Sequence, residues 1–361
     1  MKDFYSEKKV LVTGHTGFKG AWLSLWLSKM GATVYGLSNN VPSNPSAYEQ
    51  LSLSNKILDN RADITDFSSC EALINDINPD IIFHLAAQAL VRRSYADPLE
   101  TIYTNAIGTS NLLEILRKRN KATTVVLITS DKVYDNVEWI WGYKETDVIG
   151  GKDPYSASKG MAELAIKTYI NSYFNNDESN ISIGVTRAGN VIGGGDWAID
   201  RIVPDCIKAW SRNDDLEVRS PNATRPWQHV LEPLSGYLHL GRKLHENPDI
   251  NGQAFNFGPM AANNYSVSQL IDHMKIQWGD ASWFISDAVN SNQKEAGLLK
   301  LNCDKALSML DWIPCLNFHE TVDMTVEWYK KSFDTVDMGA FSSNQIDIYE
   351  DLARTRANYF D

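Results

Sequence analysis

A short β-branched run, Lys9-Val10-Leu11-Val12-Thr13, passes without a break into Gly14-His15-Thr16-Gly17-Phe18-Lys19-Gly20. A helical stretch carrying Trp22, Leu23, Leu25, Trp26 and Met30 follows, with Gly31 as its stop. Strand, glycine loop and helix start in that order leave the chain few choices. The strand delivers the loop at the carboxyl edge of a sheet, and the helix must fold back over that sheet. Backbone N–H groups and a positive helix end then converge on one spot, the geometry that receives a pyrophosphate. The spacing is G-x-x-G-x-x-G, and a tight turn alone explains glycines equally well. Between a strand and a helix near the N-terminus, they predict dinucleotide binding through Gly14, Thr16, Gly17, Phe18, Lys19 and Gly20.

The pattern recurs. Thr33 to Leu37, Ile57 to Asp59, Ile81 to Gln88, Val125 to Thr129 and Ile181 to Arg187 read as strands separated by helical segments. That alternation predicts an α/β fold, a doubly wound parallel sheet of Rossmann type. The second strand ends in Ser38-Asn39-Asn40, without the acidic residue that usually grips the adenosine ribose, so NAD and NADP both stay open at this point. Asp63 and Ile64 follow the third strand, where a carboxylate can meet an adenine edge or simply cap a helix. Leu85, Ala86, Ala87 and Gln88 are mostly small, as close approach to a cofactor requires, and His84 in its apolar run reads as a core histidine. A helix over roughly 98–118 holds Asn105 in its interior, as a kink or on an exposed polar face, and ends in Arg117-Lys118-Arg119, a solvated basic end favoured by the helix dipole.

The chain has 361 residues, a length that suggests about two domains. A net charge of −11 argues against non-specific binding to nucleic acid or anionic membrane. No apolar run approaches the roughly 20 residues that span a bilayer, and no signal-peptide core is present, which predicts a cytoplasmic protein. Cys70, Cys206, Cys303 and Cys315 are scattered without metal-ligand spacing, so reduced thiols and no metal site are expected.

Chemistry concentrates after the fifth strand, where Ser130, Asp131 and Lys132 stand in a row. Pro154 then opens Tyr155-Ser156-Ala157-Ser158-Lys159. Residues i and i+4 share a helix face, so the Tyr155 phenol and Lys159 ammonium point the same way. A free phenol titrates near 10, so phenolate at neutral pH needs about 4 kcal/mol. One cation about 4 Å away at an effective dielectric of about 20 supplies on the order of 4 kcal/mol. Lys159 is therefore expected to poise Tyr155 nearly unaided. An isolated Tyr-x-x-x-Lys is more often a helix surface pair; its company here makes it a proton-transfer site.

Past Arg187 the grammar changes. Asn190 to Trp197 is loop-like with a triple glycine, a helix is expected over 201–210, and Arg225-Pro226-Trp227-Gln228-His229-Val230 leads into another helix over 231–244. Arginines in such loops suit bidentate phosphate recognition or tie loops together. Ala254 to Gly258 reads as a further strand, Ser266 as the N-cap of a helix to Trp278, and helices are expected over 304–310 and 318–331. The tail after Phe333 is polar and mixed and carries no assignment. These features divide the chain into a cofactor-binding domain over 1–187, with segments near 230–258 returning to it, a smaller substrate-binding lobe over 188–335, and a tail over 336–361.

Over about residues 8–330 the sequence resembles the extended short-chain dehydrogenase/reductase superfamily. The glycine loop, Ser130-Asp131-Lys132, Glu138-Trp139-Ile140-Trp141-Gly142-Tyr143, Asn190 to Trp197 and Arg225 to Val230 look like the CDP-glucose 4,6-dehydratases within it. The resemblance implies a tightly held NAD, a CDP-sugar in the C-terminal lobe, a homodimer or homotetramer built through paired helices, and a role in deoxysugar biosynthesis. It implies that Tyr155 takes the sugar C4 hydroxyl proton, Lys159 holds the nicotinamide ribose and Ser130 hydrogen-bonds the C4 oxygen. Asn105 matches a helix asparagine thought to order a relay water, and Asn190, Arg201, Arg225 and Arg219 fall where relatives contact the nucleotide diphosphate. Elimination across C5–C6 needs a base and an acid; Asp131 is expected at the C6 oxygen and Lys132 at C5, either as a base made neutral by burial near Lys159 or as a cation that stabilises the enolate while another group takes the proton. Val133 replaces a cysteine of the relatives, and Gln293-Lys294-Glu295-Ala296 stands where they carry His-Glu-Ala. A nucleotide-sugar 4-epimerase would leave Asp131 and Lys132 idle, and a non-catalytic NAD-binding regulator would leave the whole set idle.

Overall fold

A computed structural model describes residues 1–119, 121–176, 178–285 and 298–357. Six strands alternate with helices in its first half: β1 (Lys9–Thr13), β2 (Thr33–Ser38), β3 (Leu58–Arg61), β4 (Ile81–His84), β5 (Thr123–Ile128) and β6 (Ile181–Ala188). Every residue of β4 and β5 is buried, as expected of parallel strands covered on both faces. Along β1 the side chains alternate: Val10 and Val12 enter one core with Val126 and Ile128 of β5, while Leu11 enters the other with Val125 and Leu127. The Phe18–Lys29 and Leu231–Glu246 helices cover the first face; the Phe67–Ile77, Gly108–Lys118 and Pro154–Tyr169 helices cover the second.

The second half adds short paired strands: β7 (Val191–Ile192), β8 (Leu216–Val218), β9 (Thr224–Arg225) and β10 (Gln228–His229). β11 (Ala254–Phe257) pairs with β6, so the main sheet has seven strands in the order β11-β6-β5-β4-β1-β2-β3, all parallel. The order reverses between β1 and β4, and ligands of such sheets bind at that point, beyond the carboxyl ends. β12 (Tyr265–Ser266) pairs with β9, and β13 (Trp283–Ile285) with β8, beside the Ile202–Trp210, Val267–Trp278 and Phe318–Ser332 helices, whose buried residues join the core on the first face of the sheet. Ser266 and Gln269 form a capping box at the start of the Val267–Trp278 helix.

Two expectations change. The tail left unassigned is a helix, Met338–Ala357, whose Met338, Ser342, Ile346, Tyr349 and Ala353 are buried against the Phe18–Lys29 and Phe318–Ser332 helices. Its stripe has helical spacing, but Ser342 and Gln345 within the buried face hide it from a reading based on apolar residues. The expected 98–118 helix is interrupted: Pro98–Ile102 and Gly108–Lys118 flank a π-helical turn, Tyr103–Ile107. Asn105 lies in that turn, buried rather than on an exposed face. No described helix is long and apolar enough to cross a membrane. The Gln293-Lys294-Glu295-Ala296 segment lies outside the described residues.

Candidate active site

The glycine loop is fixed from beneath. Gly14 has φ +75, and a Cβ there would stand 2.7 Å from the Ala86 nitrogen, so only glycine lets the loop press on the segment after β4. His15 is buried under the loop, with Nε2 2.8 Å from Asp59 Oδ1 and Nδ1 3.0 Å from Ser38 Oγ. Tyr48 donates to Asp59 at 2.6 Å, and Thr16 Oγ1 to the Asn40 carbonyl at 2.7 Å. Sequence reasoning missed this brace; the signal was a histidine inside a glycine loop and an aspartate in the third strand. Phe18, Lys19 and Gly20 open the helix, whose N-cap is Gly17 and which no side chain caps. Its first-turn N–H groups are thus offered to a ligand.

Asp63 is neither alone nor the helix cap. It accepts from Asn39 at 3.0 Å and from Thr65, while Asp66 caps the following helix through Ser69. Ile64 packs against Gly108. In the segment after β4, Leu85 and Ala86 hydrogen-bond back to Thr13, and Gln88 is held at both backbone groups by Asn105. The remaining Asn105 N–H goes to Ser158 Oγ at 2.8 Å, so both side-chain N–H groups hold protein partners. His84 is buried between Thr13 and Thr109 hydroxyls, its pKa pushed down to about 3 by burial and then by Lys159.

Ser130, Asp131, Lys132, Tyr155 and Lys159 come together at the ends of β5 and β6. Ser130 caps the short turn Asp131–Val133 and donates to Asp131 Oδ1 at 3.0 Å. Asp153 caps the Pro154–Tyr169 helix, which presents Tyr155 and Lys159, both buried. Burial pushes the Tyr155 phenol up to about 12, opposed first by the Ser130 hydrogen bond. In the fold burial is the largest influence on Tyr155, with Arg201 the cation that acts against it, and Lys159 is itself driven down to about 8 by burial and then by Lys19. Lys132 lies with its Nζ 5.8 Å from the Tyr155 ring centre and is half-buried. Full burial falls on Asp131 instead; it raises that carboxyl's pKa, and Oδ2 has no hydrogen-bond partner.

Below the cluster, Glu163 pairs with Arg187 across the helix–strand interface, 2.7 Å from Nε to Oε1, and also takes Thr129 Oγ1. Arg187 reaches Tyr134, which bonds Asn256 of β11. Sequence inspection had not singled out this buried network, because Glu163 on a helix resembles any surface acid. It ties β5, β6 and β11 to the helix carrying Tyr155.

Arg201 pairs with Asp196 at 2.7 Å and is close enough to Tyr155 to act on its pKa. Lys19 stands over the Tyr237 ring at 5.9 Å, its pKa lowered to about 8 by burial and then by Arg201, with Asp131 acting against that. It therefore faces the reacting groups as well as the glycine loop. The Asn190 carbonyl accepts the Gln228 N–H at 3.1 Å, joining the two loops singled out in the sequence. Arg225 is half-buried and bonds the Thr224 carbonyl. Arg219 is exposed, 4.0 Å from Asp200, and stands apart from this group of contacts.

A family model described as GDP-mannose 4,6 dehydratase matches residues 11–325. The CDP-glucose 4,6-dehydratase of Salmonella typhimurium is 44% identical over 96% of this chain and 98% of its own. Among solved structures, an epimerase of Methanothermobacter thermautotrophicus superposes with a TM-score of 0.78 at 23% identity, covering 92% of this chain and 95% of that one. The dTDP-glucose 4,6-dehydratase of Bacillus anthracis, solved in complex with NAD, gives 0.74 at 20% identity, covering 91% and 98%.

Proposed function

We propose, starting from the fact that this chain belongs to the GDP-mannose 4,6 dehydratase family, that it is an NAD-dependent nucleotide-sugar 4,6-dehydratase converting CDP-D-glucose to CDP-4-dehydro-6-deoxy-D-glucose. The observation that carries the elimination step is Asp131: a buried carboxyl with one oxygen unclaimed, one residue from Ser130 and close to Tyr155. An epimerase has no use for it.

The glycine cradle fits NAD, since Gly14 is pressed against Ala86 and the helix after Gly17 has no side-chain cap. Backbone groups of residues 14–20 would hold the pyrophosphate, Asp63 and Ile64 flank the adenine, Leu85 to Gln88 line the floor, and Tyr155 with Lys159 would take the nicotinamide ribose. Bound NAD would supply the hydride acceptor for oxidation at C4 and the hydride donor at C6. Tyr155 removes the C4 hydroxyl proton while Ser130 hydrogen-bonds the C4 oxygen. The 4-keto group acidifies the C5 proton, which Lys132 takes and gives back to C5 as hydride is delivered to C6. Asp131, whose raised pKa keeps it protonated to a higher pH than an ordinary carboxyl, gives its proton to the C6 oxygen, which leaves as water. Arg201, Arg225 and Asn190 hold the nucleotide diphosphate, with Arg219 at the rim. We place the enzyme in the cytoplasm as a homodimer or homotetramer.

Incubation with CDP-glucose tests the assignment. A product lighter by one water and carrying a 4-keto group supports it; CDP-galactose identifies an epimerase, and bound NAD without turnover of any nucleotide sugar identifies a regulator.

A further inference from the structure

Beside Gly189 the chain opens a cleft walled by Trp141, Pro226, Met260 and Leu301, with Gln228 among its lining residues. A Cβ on Gly189 would stand 2.7 Å from Asp131 Oδ2, so this glycine keeps the cleft open toward that carboxyl. Two buried acceptors lie in this region, Asp131 Oδ2 and Gln228 Oε1, and neither has a hydrogen-bond partner. The Gln228 amide cannot turn to hide its oxygen. Its Nε2 donates to the Phe257 carbonyl at 3.1 Å, and a flip would set two oxygens against each other. Its backbone is fixed as well, through the Asn190 carbonyl and the pairing of β10 with β7. A buried, rigid acceptor left without a donor is costly unless a ligand supplies one. Trp141 and Met260, 67% and 57% exposed, give the cleft an apolar wall suited to the C–H faces of a sugar ring.

We propose that Gln228 is a substrate-binding residue, accepting a hydrogen bond from a hexose ring hydroxyl at C2 or C3. The proposal rests on the nucleotide-sugar reading and names the contact that selects the sugar. Carbons C4, C5 and C6 are served by Ser130, Tyr155, Lys132 and Asp131, so an additional acceptor falls to the hydroxyls that do not react. A leucine would fill this position without leaving an oxygen bare, and the glutamine is then a device for discrimination rather than for packing.

Calorimetric binding of CDP-glucose and its 2-deoxy and 3-deoxy analogues to the NAD-loaded wild type and Gln228→Leu tests this. The wild type is expected to bind one analogue roughly five- to tenfold more weakly than the parent sugar. Gln228→Leu should bind the parent weaker by a similar factor and no longer distinguish that analogue. Should the leucine variant not fold, Gln228→Met, close in volume and lacking the acceptor, takes its place. Equal binding of all three sugars by the wild type overturns the proposal, as does full discrimination retained by the variant. Discriminating binding without release of water refutes the dehydratase reading and leaves the role of Gln228 standing.

Discussion

Asp131 and Lys132 are neighbours in sequence and differently placed in space, one sealed in the protein and the other half in solvent. That difference fits the tasks proposed for them: the buried carboxyl, its pKa raised by burial, as the proton donor and the accessible Lys132 as the base. Lys132→Gln is expected to abolish exchange of the C5 proton with solvent while leaving C4 oxidation within about tenfold, read by deuterium incorporation and by single-turnover NADH absorbance. Exchange at the wild-type rate would remove Lys132 as the base. Lys159 makes a different point. Its pKa falls from the usual lysine value of 10.5 to about 8 in the fold, so the unfolded chain binds more protons between those values and stability rises with pH across that window. Below pH 8 a buried charge is carried at a cost. Lys159→Met should therefore stabilise the cofactor-free protein at pH 7 by on the order of 2 kcal/mol, seen as a higher urea midpoint, while turnover collapses. The Tyr–Lys pair was legible from its spacing, but its titration was not. A Coulomb sum over two groups omits the hydration that burial removes, and in the fold that larger quantity sets the sign.

At the scale of elements, strands and glycine loop were visible because each carries a local pattern: β-branched runs, then glycines, then a helix stripe. The Met338–Ala357 helix was not, since its buried face includes Ser342, Gln345 and Tyr349, polar residues whose hydrogen bonds go to other helices. Trp328 donates to Ser342 at 2.7 Å, Gln345 to the Met324 carbonyl at 2.9 Å, and Tyr349 to Glu232 at 2.8 Å. No window confined to that helix contains those pairs. The helix is part of the core nonetheless, and Ile346→Ala is expected to cost about 2–5 kcal/mol in chemical denaturation, as for any fully buried aliphatic truncation. A loss below about 0.5 kcal/mol would mean the helix packs loosely. The π-helical turn around Asn105 was equally hidden, because an asparagine in a helix reads as a weakness until Gln88 and Ser158 are seen at its ends.

Across the whole molecule, Glu232 gathers the pieces. Buried in the Leu231–Glu246 helix, it accepts the Cys315 and Leu316 N–H groups and the Tyr349 hydroxyl, joining that helix to the 315–316 segment and the final helix. Burial raises its pKa to about 7 from the ordinary 4.5. Between those values the folded chain keeps a proton that the unfolded chain has released, so stability falls as pH rises through the window and levels off above about 7. Glu232→Gln should flatten that slope, with urea unfolding from pH 5 to pH 8 differing from the wild type by on the order of 2–3 kcal/mol at one end. Parallel slopes would place the effect elsewhere.

The bond from Trp26 to Glu350 spans 324 positions of chain. At about 5–20 residues per second, a ribosome needs roughly 15–65 s to make that stretch. Throughout that interval the indole surface of the first long helix lacks its final cover. Until residues 338–357 are made, the face of the Phe18–Lys29 helix that they cover stands open to solvent.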